Sequence, residues 1–246
     1  MRKVVCIAFI FLNSSFCLNA QRTSNIWYFG KGVGLNFNNN PPTPLTGGAL
    51  TSIESCSSVA DKNGNLLFYT NGVSVNNRKK ELMIGGVPIG GDMSSTNGAV
   101  IIPFHGNDSL YYIFTRGAAS QDEQNLAYSI VNINRDGGYG EVIQKNNIIE
   151  DKIIEKLTVV SHCNKKDFWV IVRKWNTDEY HSYLVTSTGI NSTPVVSHTG
   201  LVVSGAETNA IGVLKSSTNN KKLAAVHGFQ NDLVELMDFD NTTSYF

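Results

Sequence analysis

The chain has 246 residues with 20 basic and 20 acidic side chains, so no whole-chain field recruits nucleic acid or an anionic membrane. Only 16% of the residues are charged and 22 are glycine, a balance that leans toward a turn-rich β fold and away from a helical one. The length suits one large β domain or two small ones with a substantial core.

At the N-terminus, Arg2 and Lys3 form a short basic region, Val4 to Leu12 an apolar stretch too short to span a bilayer, and Leu18-Asn19-Ala20 a small-residue cleavage site. Residues 1–20 therefore read as a signal peptide cleaved after Ala20. The mature chain is expected to be extracellular or on the outer cell surface, with no membrane span. Bulky Phe16 before Cys17 fits lipoprotein processing badly. Cleavage leaves 18 basic against 20 acidic residues, a net charge of −2, and only Cys56 and Cys163. Two cysteines do not make a disulfide scaffold, and both are expected to be unbonded, small buried hydrophobes.

Residues 21–52 read as an N-terminal strand and loop segment in which Gly30 to Gly34 form a loop. Beyond them, long helical periodicity is missing and a short, nearly continuous apolar run recurs. It appears at Leu66 to Tyr69, Leu110 to Phe114, Phe168 to Val172 and Leu223 to Val226, with starts about 45 to 60 residues apart. A polar turn precedes each run, the first being Asp61-Lys62-Asn63-Gly64-Asn65. A shorter strand precedes each turn, at Ser57 to Val59, Ala99 to Ile102, Leu157 to Val160 and Ala210 to Leu214. A third strand follows, clearest at Leu126 to Val131, Ser182 to Val185 and Leu233 to Met237, and a weaker fourth lies near Glu141 to Ile143 and Pro194 to Val196.

Three or four antiparallel strands per unit of about 45 to 55 residues is the period of propeller blades. A blade's middle strands are covered on both faces and read as solid apolar blocks. A string of β-sandwiches would repeat nearer every 100 residues. The expectation is an all-β chain, a partial β-propeller of about four blades with three to four antiparallel strands each and an unclosed ring. The units fall at about 53–95, 96–152, 153–205 and 206–246, the last incomplete. Gly85 to Gly91 reads as an inter-blade linker.

The motifs point away from catalysis. With Asp61 as its first position, a calcium loop of the EF-hand type needs Gly and Glu where Leu66 and Gly72 stand. Asn63-Gly64 instead supplies the positive φ of a hairpin turn. His162-Cys163 is the only adjacent metal-type pair and lacks a third ligand. No catalytic, cofactor or metal residues are assigned. Carboxylates cluster at Asp122-Glu123, at Glu150-Asp151 with Glu155, and at Asp238 with Asp240, and read as solvated loop charges. Among Trp169, Trp175, Tyr180 and Tyr183, which could stack on sugars, Trp169 lies in a core run and Trp175, in a polar hairpin, is the better surface candidate.

Trp27-Tyr28-Phe29-Gly30, Gly34-Leu35-Asn36-Phe37, Pro41 to Leu45, Gly48-Ala49-Leu50, Cys56-Ser57-Ser58 and the segment from Asp61 to Val75 together resemble a known group. So do Tyr111 to Thr115, Glu155 to His162, Asp167 to Val172, Thr193 to Ser197, Asn209 to Gly212, Lys221 to Ala225 and Val234 to Asn241. The group comprises large cell-surface proteins of gliding bacteria, exported by the type IX secretion system and often carrying a gliding-motility-associated C-terminal domain. The resemblance implies a WD-type or YVTN-like propeller ahead of immunoglobulin-like repeats and a sorting domain. Where the group tends to have Trp, this chain has Asn76, which loosens that strand. A seven-bladed ring would need roughly 300 to 350 residues, so the chain reads as a truncated member or a fragment with an exposed blade edge. The function expected is binding, scaffolding or adhesion toward an unknown protein or glycan ligand, without cofactor, by a monomer unless that edge pairs. A secreted, glycosidase-like hydrolase with acids or histidines converging on the propeller channel is the alternative.

Overall fold

A computed structural model describes residues 22–117, 124–229 and 232–246. The signal segment and Asp122-Glu123 lie outside the described residues. Strand makes up 47% of the chain and helix 3%, so the fold is all-β, in several antiparallel sheets with no closed barrel.

The described residues form five sheets. Sheet 1 holds β1 (Ile26–Phe29), β2 (Val33–Asn36) and β3 (Thr43–Leu45), and sheet 2 holds β4 (Ser57–Ala60), β5 (Leu66–Thr70) and β6 (Val75–Asn77). Sheet 3 is a meander of β7 (Ala99–Pro103), β8 (Leu110–Arg116), β9 (Leu126–Asn132) and β10 (Glu141–Glu150). In sheet 4, β11 (Ile153–Ser161), β12 (Phe168–Lys174) and β13 (Glu179–Thr186) follow one another, and β14 (Gly189–Ile190) and β15 (Val195–His198) pair with different parts of β13. Sheet 5 contains β16 (Leu214–Ser216), β17 (Lys222–His227) and β18 (Leu233–Asp238). The first strands touch in succession, β1 on β4, β4 on β7, β7 on β11 and β11 on β16.

The apolar runs become the middle strands β5, β8, β12 and β17; in β8 and β12 the physical reason is double burial, whereas β17 is buried at alternate residues. From Tyr111 to Arg116 every residue of β8 is buried, and so is every residue from Trp169 to Arg173 of β12. Each junction between sheets carries one apolar cluster. Ile26 and Tyr28 meet Ala60 and Tyr69 between sheets 1 and 2, and Phe68 and Val75 meet Ile113 and Val131 between 2 and 3. Phe114 and Ile102 meet Val170 and Val185 between sheets 3 and 4, while Trp169 and Ile171 meet Leu223 and Met237 between 4 and 5.

Two local features differ from the sequence expectation and one sharpens it. Residues 26–45 form a full sheet, because Gly30 and Gly32 at positive φ turn the chain (57° and 69°) and Gly34 lets β2 pass the Trp27 carbonyl where any Cβ would collide. The stretch from Gly85 to Gly91 lies between sheets 2 and 3, where the sequence predicts a linker, and it is a packed one: Ile89 is fully buried, and backbone bonds from Val75 N to Gly86 O (2.9 Å) and Ile89 N to Val73 O (3.1 Å) stitch it to β6 and the residues just before it. Ala210 to Leu214 does not form a strand along its length, since Glu207–Ala210 closes a 3-10 turn and β16 begins at Leu214.

At the Asp61 turn, Gly64 takes φ 87° and Asp61 Oδ1 accepts from Asn63 N (2.8 Å) and Asn65 N (2.9 Å). Its oxygens serve the β4–β5 hairpin. Asn76 is buried with its Oδ1 lacking a hydrogen-bond partner, a weak point in β6.

Candidate functional site

A cavity of about 520 Å³ opens where sheets 3 and 4 and the segment before β16 converge. Gln124 and Asn125 enter it from the approach to β9, Asp151 and Lys152 from the β10–β11 connection, Trp175 from the end of β12 and Glu207 from the 3-10 turn. The backbone fixes these contributors to one another: Trp175 N donates to Lys152 O (2.7 Å), Ile153 N to Gln124 O (2.9 Å) and Asn176 N to Val203 O (2.9 Å). Trp175 is half-buried and packs against the small cluster of Ile154, Val203 and Ala210, so it is held in place while it lines the cavity. One aromatic surrounded by amides, carboxylates and an ammonium suits a polyhydroxylated ligand.

Beside this cavity, Glu150 at the end of β10 gathers side chains from sheet 4. Its Oε1 accepts from Lys174 Nζ (2.8 Å), and its Oε2 from the Tyr183 hydroxyl (2.6 Å) and lies 2.7 Å from His181 Nδ1. Lys174 Nζ also donates to Asp151 Oδ1 (3.1 Å), which ties this node to the cavity wall. His181 Nε2 reaches Glu179 (3.3 Å), and His198 pairs with Asp178 (2.9 Å). Burial pushes the Glu150 carboxyl up, but the bonds from Lys174, Tyr183 and His181 outweigh it and hold its pKa at about 2. The ionised carboxylate therefore stabilises the fold above its ordinary value of 4.5, and that contribution is lost as pH falls from there toward 2. Acid titration followed by circular dichroism is expected to show this loss in the native chain and a shallower pH dependence in Glu150→Gln.

Deeper inside, a ladder of charges runs through sheet 4. Between Ile153 and Leu157 a β-bulge sets Ile154, Glu155 and Lys156 opposite Arg173 alone. Glu155 points toward sheet 3, where it meets Arg116 Nη1 (3.2 Å) and the Thr96 hydroxyl (2.7 Å). Lys156 points the other way, its Nζ close to Gly212 in the segment leading into sheet 5. On that side Arg173 Nη1 donates to Glu235 Oε2 and to the Tyr180 hydroxyl (both 2.7 Å), and Arg173 also bonds the Leu201 carbonyl. His227 Nε2 lies 2.7 Å from the same Glu235 oxygen.

Arg116, Lys156, Arg173 and His227 are all fully buried, and Lys156 Nζ has no hydrogen-bond partner. Burial, then the neighbouring Arg173 guanidinium, lowers the Lys156 pKa to about 8. Burial lowers that of Arg116 to about 10 despite Glu155. His227 is pushed down by burial and by Lys156. This cluster is closed off and structural in character.

The carboxylates singled out by sequence thus divide. Asp151 is exposed at the cavity, Asp238 pairs with exposed Lys222 (2.6 Å), and Asp240 caps the turn at Thr242. Glu150 and Glu155 correct the expectation of solvated loop charges: both are drawn out of water by cations of an adjacent sheet. Trp169 is core, with Nε1 donating to Asn241 O (3.1 Å). Tyr180 and Tyr183 are buried and bonded to Arg173 and Glu150, so neither stacks on a sugar.

His162 Nδ1 accepts from Asn164 N (3.1 Å), and among the described residues no group of three or more His, Cys, Asp or Glu is placed to hold a metal ion. Cys56 and exposed Cys163 are free thiols. No helix among the described residues is long and apolar enough to cross a membrane. Sequence reasoning missed Gln124, Asn125 and Glu207, which lie far apart in the chain and carry no motif.

The fold and cavity define an all-β protein of successive antiparallel sheets. Comparison with protein-family models, curated proteins and solved structures gave no match.

Proposed function

We propose that the chain is an exported β-propeller module of the gliding-bacterial cell-surface kind, and that it binds a glycan without catalysis. The successive contact of first strands, with each sheet meandering outward from them, supports reading the sheets as blades about a common axis. The observation that carries the ligand reading is Trp175, anchored by an apolar cluster and set among Gln124, Asn125, Asp151 and Glu207 in one cavity. An aromatic face covers the apolar face of a sugar ring, while amides and carboxylates bond its hydroxyls.

Titration of the purified chain against a panel of soluble oligosaccharides tests this. Binding is expected, with Trp175→Ala weakening it by tenfold or more, about 1.4 kcal/mol. A chain that binds none of the panel, or a Trp175→Ala variant with unchanged affinity, defeats the proposal. Secretion is tested by sequencing the N-terminus of the exported product, which is expected to begin at Gln21.

One observation favours a hydrolase as second reading: Asp151 and Glu207 share the Trp175 cavity, and glycoside hydrolysis uses two carboxylates. Release of reducing sugar by the native chain, lost in both Asp151→Asn and Glu207→Gln, would replace the first reading with this one.

A further inference from the structure

Each of the four junctions between sheets joins the leading face of one sheet to the trailing face of the next, through an apolar cluster of its own. The two end sheets each keep one face that no junction uses. On sheet 5 it is formed by Ala224 and Val226 of β17 with their cross-strand neighbours Leu236 and Val234 of β18. Val234 is 61% exposed and Leu236 68% exposed, although their alternate partners Leu223, Ala225 and Met237 are buried against sheet 4. On sheet 1 the free face carries Trp27 paired with Leu35, and Phe29 paired with Val33. Trp27 is 50% and Val33 43% exposed, while Ile26 and Tyr28 on the opposite face are buried against sheet 2. Phe37 extends this face, its ring centroid 4.6 Å from that of Trp27.

Strands on a solvated edge sheet ordinarily alternate apolar inside with polar outside. Here the free face of sheet 1 is apolar, and that of sheet 5 is apolar through Ala224, Val226, Val234 and Leu236, with the exposed Lys222–Asp238 pair at one end. The exposure of Trp27, Val234 and Leu236 means that the two end faces do not cover each other within one chain. Their senses are complementary: sheet 5 offers a leading face and sheet 1 a trailing one, the two halves of the junction that the chain builds four times internally.

We infer that the chain self-associates head to tail, the Val226–Val234–Leu236 face of one copy stacking on the Trp27–Leu35–Val33 face of a second copy. A second copy is the occupant that the fold itself supplies with an exposed apolar face of the opposite sense. The contact is heterologous, using different surfaces on the two partners, so each added copy presents the same free faces again. Such assembly also gives a glycan site several copies on one particle and raises avidity without new contacts. The inference rests on the sheet faces and stands apart from the ligand reading.

The test uses the purified chain and two single-face variants, Leu236→Asp and Trp27→Asp, in sedimentation velocity from about 1 to 100 µM, where mass action drives association. The native chain is expected to grow in mass with concentration. Each variant alone is expected to remain a single chain, and an equimolar mixture to form a dimer and stop, because one variant keeps a working sheet 1 face and the other a working sheet 5 face. Both positions are solvated, and matching far-UV spectra and melting curves verify folding; Val234→Lys and Val33→Lys serve as a second pair should either variant misfold. A native chain that stays a single chain throughout overturns the inference and assigns the faces to a different partner. A Trp27→Asp variant that still self-associates overturns it in favour of a symmetric contact of sheet 5 on sheet 5. A mixture that fails to dimerise overturns it too.

Discussion

Replacing Glu235 with Ala is expected to destabilise the chain by about 3 to 5 kcal/mol, the usual cost of removing one partner of a buried ion pair. The Glu235 carboxylate accepts from Arg173 Nη1, from His227 Nε2 and from the Leu201 amide (2.6 Å), so three donors from three segments lose their acceptor together. Arg173 is fully buried, and Lys156 adds a second cation nearby. The charge left behind, more than the bonds lost, sets the size of the effect. In a chain of this length the melting temperature is expected to fall on the order of 10 °C. Urea unfolding at neutral pH measures the loss directly, and a change below about 1 kcal/mol would refute the placement of Glu235 as the counter-charge of this junction.

Lys156→Met is expected to act in the opposite direction, stabilising the chain by about 2 to 3 kcal/mol at pH 7. The Lys156 amine is fully buried without a hydrogen-bond partner, and its pKa is lowered from 10.5 to about 8. Below pH 8 the folded state must carry a charge that burial disfavours. Between about pH 8 and 10.5 the folded amine has released its proton and the unfolded one has not, so stability rises with pH across that window. Met has nearly the volume of Lys and orphans no acceptor, because Glu235 and Glu155 keep Arg173 and Arg116. Chemical denaturation from pH 7 to pH 10 is expected to show the native chain gaining stability and the variant staying flat. The double variant Glu235→Ala with Lys156→Met is expected to lose less than Glu235→Ala alone, since one of the two uncompensated cations is gone. A Lys156→Met variant less stable than the native chain would show that the amine holds the junction together.

The strands of this fold were legible for a physical reason. Tyr111 to Phe114 and Trp169 to Val172 are covered on both sides, and double burial leaves an unbroken apolar block that no turn or solvated strand mimics. Sheet 1 was harder to read because β1 and β2 have four residues each and are separated by glycines that read as loop. The cavity was legible only in Trp175 and Asp151: a site assembled from β9, the β10–β11 connection and a 3-10 turn leaves no spacing along the chain. The buried charges left a trace that was not weighted. Glu155-Lys156 interrupts an apolar strand between Ile154 and Leu157, and two adjacent charges there have to find partners inside. Thr70, Arg116, Arg173 and His227 likewise stand at or next to the end of a middle strand, fully buried in each case. A polar residue closing every apolar block is a repeat feature as regular as the block itself.

The bulge in β11 has an implication for how this chain tolerates change in length. Alternation through Ile154, Glu155 and Lys156 delivers an acid to sheet 3, which supplies Arg116, and a base toward the Glu235 carboxylate of sheet 5. Losing or gaining one residue there would exchange the two deliveries, pressing carboxylate on carboxylate at one junction and cation on cation at the other. Substitution at a single position spoils one contact, whereas a shift of frame inverts the polarity of two junctions at once. This segment is therefore expected to tolerate a single substitution better than a change of one residue in its length.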